Sequence, residues 1–315
     1  MSRTISISRY LPILRWGRDY DKVKLIDDSL AAVIVAIMLV PQALALALVA
    51  GLPPQVGLYA SIFGLCIYAL FGTSNTLSVG PVAVLSLMTA AALAKLGISD
   101  PLQLVATALT LAFLCGVFLL LLGLMRLGFM ANFLSHPVIS AFITASAIII
   151  GLSQVQHLLG TTSSGQNIIE LLASLRGSMG EINRITLGLG LACIAIIVWC
   201  RTGLASLLTK MGLGGRLVTS ISRSGPVIVA VLTGLLCYGF RLDQQGVQLL
   251  GVVPAGLPGL TVPDFSLELI RDLFWSAVLL SIIGFVESVS VAQTLAAKRR
   301  EQIELDQELI GLGAA

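Results

Sequence analysis

The chain has 315 residues, 57% hydrophobic and 11% charged, with a mean hydropathy of +0.97. Soluble domains carry about 25% charged residues, so lipid rather than water must solvate most of these side chains. The net charge of +3 comes without a basic stripe, which speaks against nucleic-acid binding. The five cysteines sit singly in apolar runs, which speaks against a disulfide framework or a metal centre.

Residues 1–28 read as a polar cytosolic tail with six basic residues, from Arg3 to Lys24, and an interfacial stretch around Tyr10–Trp16. A secretory signal is not expected, because the first apolar run lies deep and carries no cleavage site. Residues 29–300 read as a transmembrane domain. A bilayer core needs about 20 apolar residues per helix, and spans are predicted at Ser29–Ala50, Gln55–Phe71, Pro81–Leu96, Leu102–Leu124, Val138–Leu159, Ile185–Cys200, Pro226–Phe240 and Leu273–Ala296. Residues 301–315 read as a cytosolic loop. With the N-terminus inside, fourteen of the nineteen basic residues fall on the cytoplasmic side, in agreement with the positive-inside rule, and the even number of spans places both termini in the cytoplasm.

Two spans read as broken. The first holds Pro41-Gln42 at its midpoint, where proline removes a donor and clashes with the preceding turn, so a bend or unwinding is expected. The third starts at Gly80-Pro81 and is short for a crossing. The polar, β-prone run Thr73–Val79 before it suggests an extended strand leading into a half helix. Extended backbone at membrane depth survives only when buried in protein or lining a cavity, and broken helices mark transporter binding sites. A packing kink plus a short tilted helix is the plainer alternative.

A half helix can bind an anion without lysine or arginine. Its first amides are unpaired and carry about half a positive charge. Val82, Ala83 and Val84 are the expected donors, with Gly80 at the break and Pro81 at the first helical position. Glu287 is the one acidic residue placed well inside a predicted span, and a carboxyl there is by default a functional candidate. Its helical face carries Gly284, Ser288, Val291 and Thr294, suited to a wet cavity or to close packing. Such a carboxyl could exchange protons near neutral pH, and an arriving anion would favour co-binding of H⁺. A structural, protonated acid bonded to a neighbouring helix is the alternative. Gln42, also deep in a span, can donate to an anion or tie down the Pro41 break. No span holds a nucleophile–base pair, so no enzyme activity and no cofactor are expected.

The runs Val40-Pro41-Gln42-Ala43-Leu44-Ala45, Gly51-Leu52-Pro53-Pro54-Gln55-Val56-Gly57-Leu58-Tyr59 and Ser78-Val79-Gly80-Pro81-Val82-Ala83 resemble the sulfate permease (SulP) signature. Gly284-Phe285-Val286-Glu287-Ser288-Val289-Ser290 and Asp306-Gln307-Glu308-Leu309 with Gly311-Leu312-Gly313 continue the match. The resemblance implies an all-α polytopic membrane protein, the first half of a seven-plus-seven inverted-repeat transporter. It implies an anion site between two facing half helices. Gln42, Leu46 and Val82 would line that site, with Ala45, Ser288 and Val291 as further lining, and Glu287 would be the cation-coupling acid. Family members move sulfate, bicarbonate, chloride, oxalate or molybdate, and many form homodimers and carry a STAS domain.

Set against that pattern, the chain is expected to hold the first repeat and one span of the second, without the facing half helix or a STAS domain. The expected function is proton-coupled transport of an inorganic anion, sulfate foremost, in a plasma or inner membrane. The alternatives are an anion exchanger or bicarbonate transporter, a channel, a half-transporter completed by a second chain, and a non-transporting remnant. The partners expected are the anion, protons and membrane lipid.

Overall fold

A computed structural model describes residues 11–98, 100–129, 136–161, 168–210, 212, 218, 225–249, 256, 263 and 265–315. Of the predicted features, Arg3, Arg9 and Tyr10 of the tail, and Arg216 and Arg223 of the later basic loop, lie outside these residues. The described residues are helical, with extended connections and no strand. The helices are α1 (Ile13–Trp16), α2 (Lys22–Val49), α3 (Pro54–Phe71), α4 (Ala83–Ala94), α5 (Pro101–Leu124) and α6 (His136–Leu159). They continue as α7 (Ile168–Gly177), α8 (Arg184–Trp199), α9 (Ala205–Lys210), α10 (Gly225–Phe240), α11 (Leu267–Arg299) and α12 (Leu305–Ala314). Among the described residues, five helical stretches are long and apolar enough to cross a membrane: α2, α3, α5, the run Arg184–Lys210, and α11. Two shorter apolar helices, Ala83–Ala94 and Ile228–Phe240, accompany them.

Local chemistry explains several starts. The Lys24 N–H donates to the Asp21 carboxylate at 2.8 Å, so α2 begins at Lys22, seven residues before the predicted span. Pro54 and Pro101 stand in the first turns of α3 and α5, where their missing N–H costs nothing. Asp100 caps α5 by accepting from Leu102 and Gln103, and Asn183 caps α8 by accepting from Ile185 and Thr186.

Three sequence expectations are corrected. Of the bend or unwinding expected at Pro41, the unwinding is corrected: α2 runs through it from Lys22 to Val49. Leu39 and Val40 precede the proline and Gln42, Ala43 and Leu44 follow it, and in lipid a helix that opens exposes backbone groups with no partner. The run Thr73–Val79 is extended but forms no strand: its Thr73 and Ser74 N–H groups donate to the Glu308 carboxylate of the helix Leu305–Ala314 and not to a neighbouring strand. Residues 301–315 are not a loop: Leu305–Ala314 form α12, with Gln307, Glu308, Leu309, Ile310 and Gly311 all buried.

The chain divides into two compact units, and the division in α2 falls between Pro41 and Gln42. The first comprises residues 1–25, 42–144 and 254–315. Within it, Ala92 of α4, Leu111 of α5, and Leu273, Ala277 and Leu280 of α11 form one core cluster. Leu119 of α5, Phe285 and Val289 of α11, and Leu309 of α12 form another. Small residues allow the closest approaches, as expected where lipid removes the hydrophobic drive between helices. At the α5–α12 crossing, a Cβ on Gly313 would lie 2.8 Å from the Leu120 nitrogen, and one on Gly116 would lie 2.7 Å from the Gly313 carbonyl oxygen. Between α5 and α11, the Ser281 hydroxyl donates to the Ala277 carbonyl at 2.7 Å and to the Cys115 carbonyl at 3.3 Å.

The second unit comprises residues 26–41 and 145–253. In it α8 packs on α10, and Asn183 ties the start of α8 to the turn after α10 by donating to the Gln245 carbonyl at 3.0 Å. The amphipathic α7 buries Leu171 and Leu175 and was not foreseen in the sequence.

Candidate functional site

A cavity of about 550 Å³ lies within the first unit. Its walls come from the C-terminal half of α2, from α3, from the extended run before α4 together with the first turns of α4, from α5, from α11 and from the end of α12, at Leu312 and the following Ala315. The small residues of α2 and α3 set one wall. A Cβ on Gly57 would collide with the Ala43 carbonyl and come within 3.1 Å of Ala47 Cβ, so these two helices nearly touch. On another side, a Cβ on Gly284 of α11 would meet a Leu85 methyl at 3.2 Å, which brings α11 against the first turn of α4.

The start of α4 differs from the capped starts of α2, α5 and α8. Its N-cap is Val82, in extended conformation, and no side chain caps it. The first internal bond runs from the Ser86 N–H to the Val82 carbonyl at 2.9 Å. The amides of Val82, Ala83, Val84 and Leu85 precede that bond and have no partner inside the helix. Pro81 therefore stands before the helix and not at its first position as the sequence suggested, and the proline sacrifices none of these donors.

Of the residues singled out in the sequence, Leu46, Gly80, Val82, Glu287, Ser288 and Val291 line this one cavity. Gln42 and Ala45 lie on an exposed face of α2 and are not among its lining, nor are Ala83 and Val84. Glu287 is half-buried, and its Oε2 is buried with no hydrogen-bond partner among the described residues. An unpartnered carboxylate oxygen in an apolar wall is costly unless it takes up a proton, meets a cation or is wetted. The cavity thus joins the uncapped start of α4, through Val82 and Leu85, with one acid whose Oε2 has no hydrogen-bond partner among the described residues. Among the described residues, no group of His, Cys, Asp or Glu could hold a metal ion.

Residues 25–315 match the sulfate permease family. The chain belongs to the sulfate permease family. A protein of Mycobacterium tuberculosis named as a probable sulfate transporter is 34% identical over 314 residues, covering 100% of this chain and 53% of that protein. The sodium-independent sulfate anion transporter of Bos taurus is 32% identical over 328 residues, covering 98% of this chain and 53% of that protein. Among solved structures, the murine Solute Carrier 26 family member A9 anion transporter in its inward-facing state aligns with a TM-score of 0.85 at 25% identity, covering 99% of this chain and 53% of that one. This sulfate permease family chain therefore spans about half the length of the relatives it matches.

Residues that the sequence argument missed stand around the same site. Leu77, Ser78 and Val79 line the cavity ahead of the half helix. Glu308, read as part of a loop, is fully buried on α12. The polar triplet Asp306-Gln307-Glu308 followed by Leu, Ile and Gly was the available signal. Three adjacent polar residues read as solvent-facing until their partners are known.

Proposed function

We propose that this chain supplies one half of the anion site of a proton-coupled transporter of inorganic anions, with sulfate as the cargo. The observation that carries the proposal is that the uncapped start of α4 and Glu287, whose buried Oε2 has no partner among the described residues, line the same cavity. The amides at Val82–Leu85 would hold the anion oxygens, since a helix N-terminus attracts negative charge without a basic side chain. Leu46, Ala47 and Val291 would exclude water and make the walls non-adhesive, so that the ion can leave again. Glu287 would carry the coupled proton. An anion at the half helix and a carboxylate on Glu287 repel one another through a poorly screening medium, so anion and H⁺ bind best together. The names of the mycobacterial and bovine relatives support sulfate as the cargo. Gln42, whose side chain stands outside the cavity lining in this arrangement, would reach the anion only after a rearrangement of α2.

The test is uptake of radiolabelled sulfate into vesicles carrying the full-length protein, at fixed membrane potential, with and without an inward proton gradient. A gradient-stimulated uptake that Glu287→Gln removes is the expected result. Uptake indifferent to the gradient in the unmodified protein would mean exchange or channel-like flow instead.

A further inference from the structure

Glu308 is fully buried, and its carboxylate takes part in four hydrogen bonds. Oε2 accepts from the Tyr68 hydroxyl at 2.6 Å. Oε1 accepts from the Thr73 N–H at 2.8 Å, from the Thr73 hydroxyl, and from the Ser74 N–H at 3.2 Å. All four partners donate, which is the set that an acceptor-only carboxylate satisfies. The Thr73 hydroxyl also accepts from the Glu304 N–H at 3.4 Å, which leaves its own proton for Glu308. These donors lie at the exit from α3, at the beginning of the extended run that leads to α4.

From there the hydrogen bonds continue toward the cavity. The Ser74 hydroxyl accepts from the Thr76 N–H at 3.4 Å and the Leu77 N–H at 3.2 Å, and the residues from Leu77 to Val82 form part of the cavity wall. The neighbouring residues of α12 grip the same place. Gln307 Nε2 donates to the Phe71 carbonyl at 2.7 Å, and a Cβ on Gly311 would lie 3.0 Å from Gly72 Cα. A Cβ on Gly72 would in turn sit 2.5 Å from the Tyr68 ring. Beyond the local turn that Ser74 closes, an extended run has no backbone ladder of its own, so its position is set by whatever holds its ends. Here one end continues into α4 and the other is held by Glu308.

We propose that Glu308 is a positioning residue for the anion site: through Thr73 and Ser74 it sets where the extended run delivers the amides of Val82–Leu85. This rests on the half-helix site proposed above. Charge-assisted bonds to a buried carboxylate are the strong kind, and replacing one oxygen by an amide nitrogen would set a donor against a donor.

The experiment uses the full-length protein, in detergent for hydrogen exchange and in vesicles for sulfate uptake. Glu308→Gln should speed exchange at the Thr73–Leu77 amides by about tenfold or more and raise the KM for sulfate by about tenfold, with the maximal rate changed by less than about threefold. Thr73→Val and Thr73→Ser provide an independent pair that does not depend on the folding of Glu308→Gln. Thr73→Val should shift KM in the same direction, and Thr73→Ser, which keeps the hydroxyl, should restore it. Faster exchange with an unchanged KM would overturn the positioning role while leaving the sulfate site intact. Unchanged exchange in Glu308→Gln would overturn it outright, as would a maximal rate that falls in step with apparent affinity in both Thr73 variants. If the unmodified protein takes up no sulfate, the proposed function fails instead, and exchange at Thr73–Leu77 alone decides whether Glu308 holds the run.

Discussion

In the proposed site Glu287 and Val82 would carry different parts of the same chemistry, and each can be removed alone. Glu287→Gln keeps the shape and hydrogen-bonding reach of the side chain and deletes only its exchangeable proton. Sulfate uptake driven by an inward proton gradient should fall to the ungraded level, a loss of about tenfold or more in initial rate, while anion-for-anion exchange persists. The sign follows from co-binding: lowering the external pH should raise uptake in the unmodified protein and leave the variant flat. Val82→Trp puts bulk where the half helix meets the cavity. It should weaken sulfate binding by about a hundredfold or more in an equilibrium binding assay, because a filled pocket is refused by sterics and not by a lost bond. Unaltered affinity would remove the half-helix site.

At the level of elements, the packing of α12 on α5 depends on absent side chains. Gly313→Ala should lower the thermal unfolding midpoint in detergent, since its Cβ would lie 2.8 Å from a backbone nitrogen that cannot move. Overpacking of this kind costs about 1–3 kcal/mol. Gly234→Ala on α10, where a Cβ meets nothing within 4 Å, should leave the midpoint unchanged or raise it slightly. Helix α12 also shows where reading by pattern stops. Its ten residues are too few for a crossing, and after Leu305 its first turn carries an acid, an amide and an acid. Only the partners at Phe71, Tyr68, Thr73 and Gly128 explain why those groups are inside. The short α4 is the opposite case: Gly80-Pro81 and the brevity of the following apolar run announced a half helix. The helix itself begins at Ala83, two residues later, because Val82 is still extended.

For the whole molecule, the count of basic residues argues for a cytoplasmic N-terminus. A cysteine placed at Arg18, in a background with the five native cysteines replaced, should be labelled by an impermeant maleimide only after the membrane is opened. One placed at Asp243, in the turn after α10, should be labelled in intact cells. Reversed labelling would invert the topology. The membrane-spanning character and the family followed from composition and motif order, since both are carried by residue types and not by their contacts. The continuity of α2 through Pro41 was not legible in that way. Proline's local penalty is visible in the sequence, whereas the cost of opening a helix in lipid depends on what surrounds it.

The sequence by itself determined that lipid is the solvent, which segments are apolar enough to cross it, and that an acid and a broken helix stand out among them. These are properties of residue types in a row. Tertiary structure decided that Glu287 and the start of α4 face one cavity, that Gln42 lies outside its lining, and that a buried carboxylate on α12 holds the run leading to the half helix. Those facts depend on which faces meet across 200 or more residues of chain, as in the Thr73–Glu308 bond with its separation of 235. No local pattern encodes a meeting at that distance, because it is selected by the packing of every helix between.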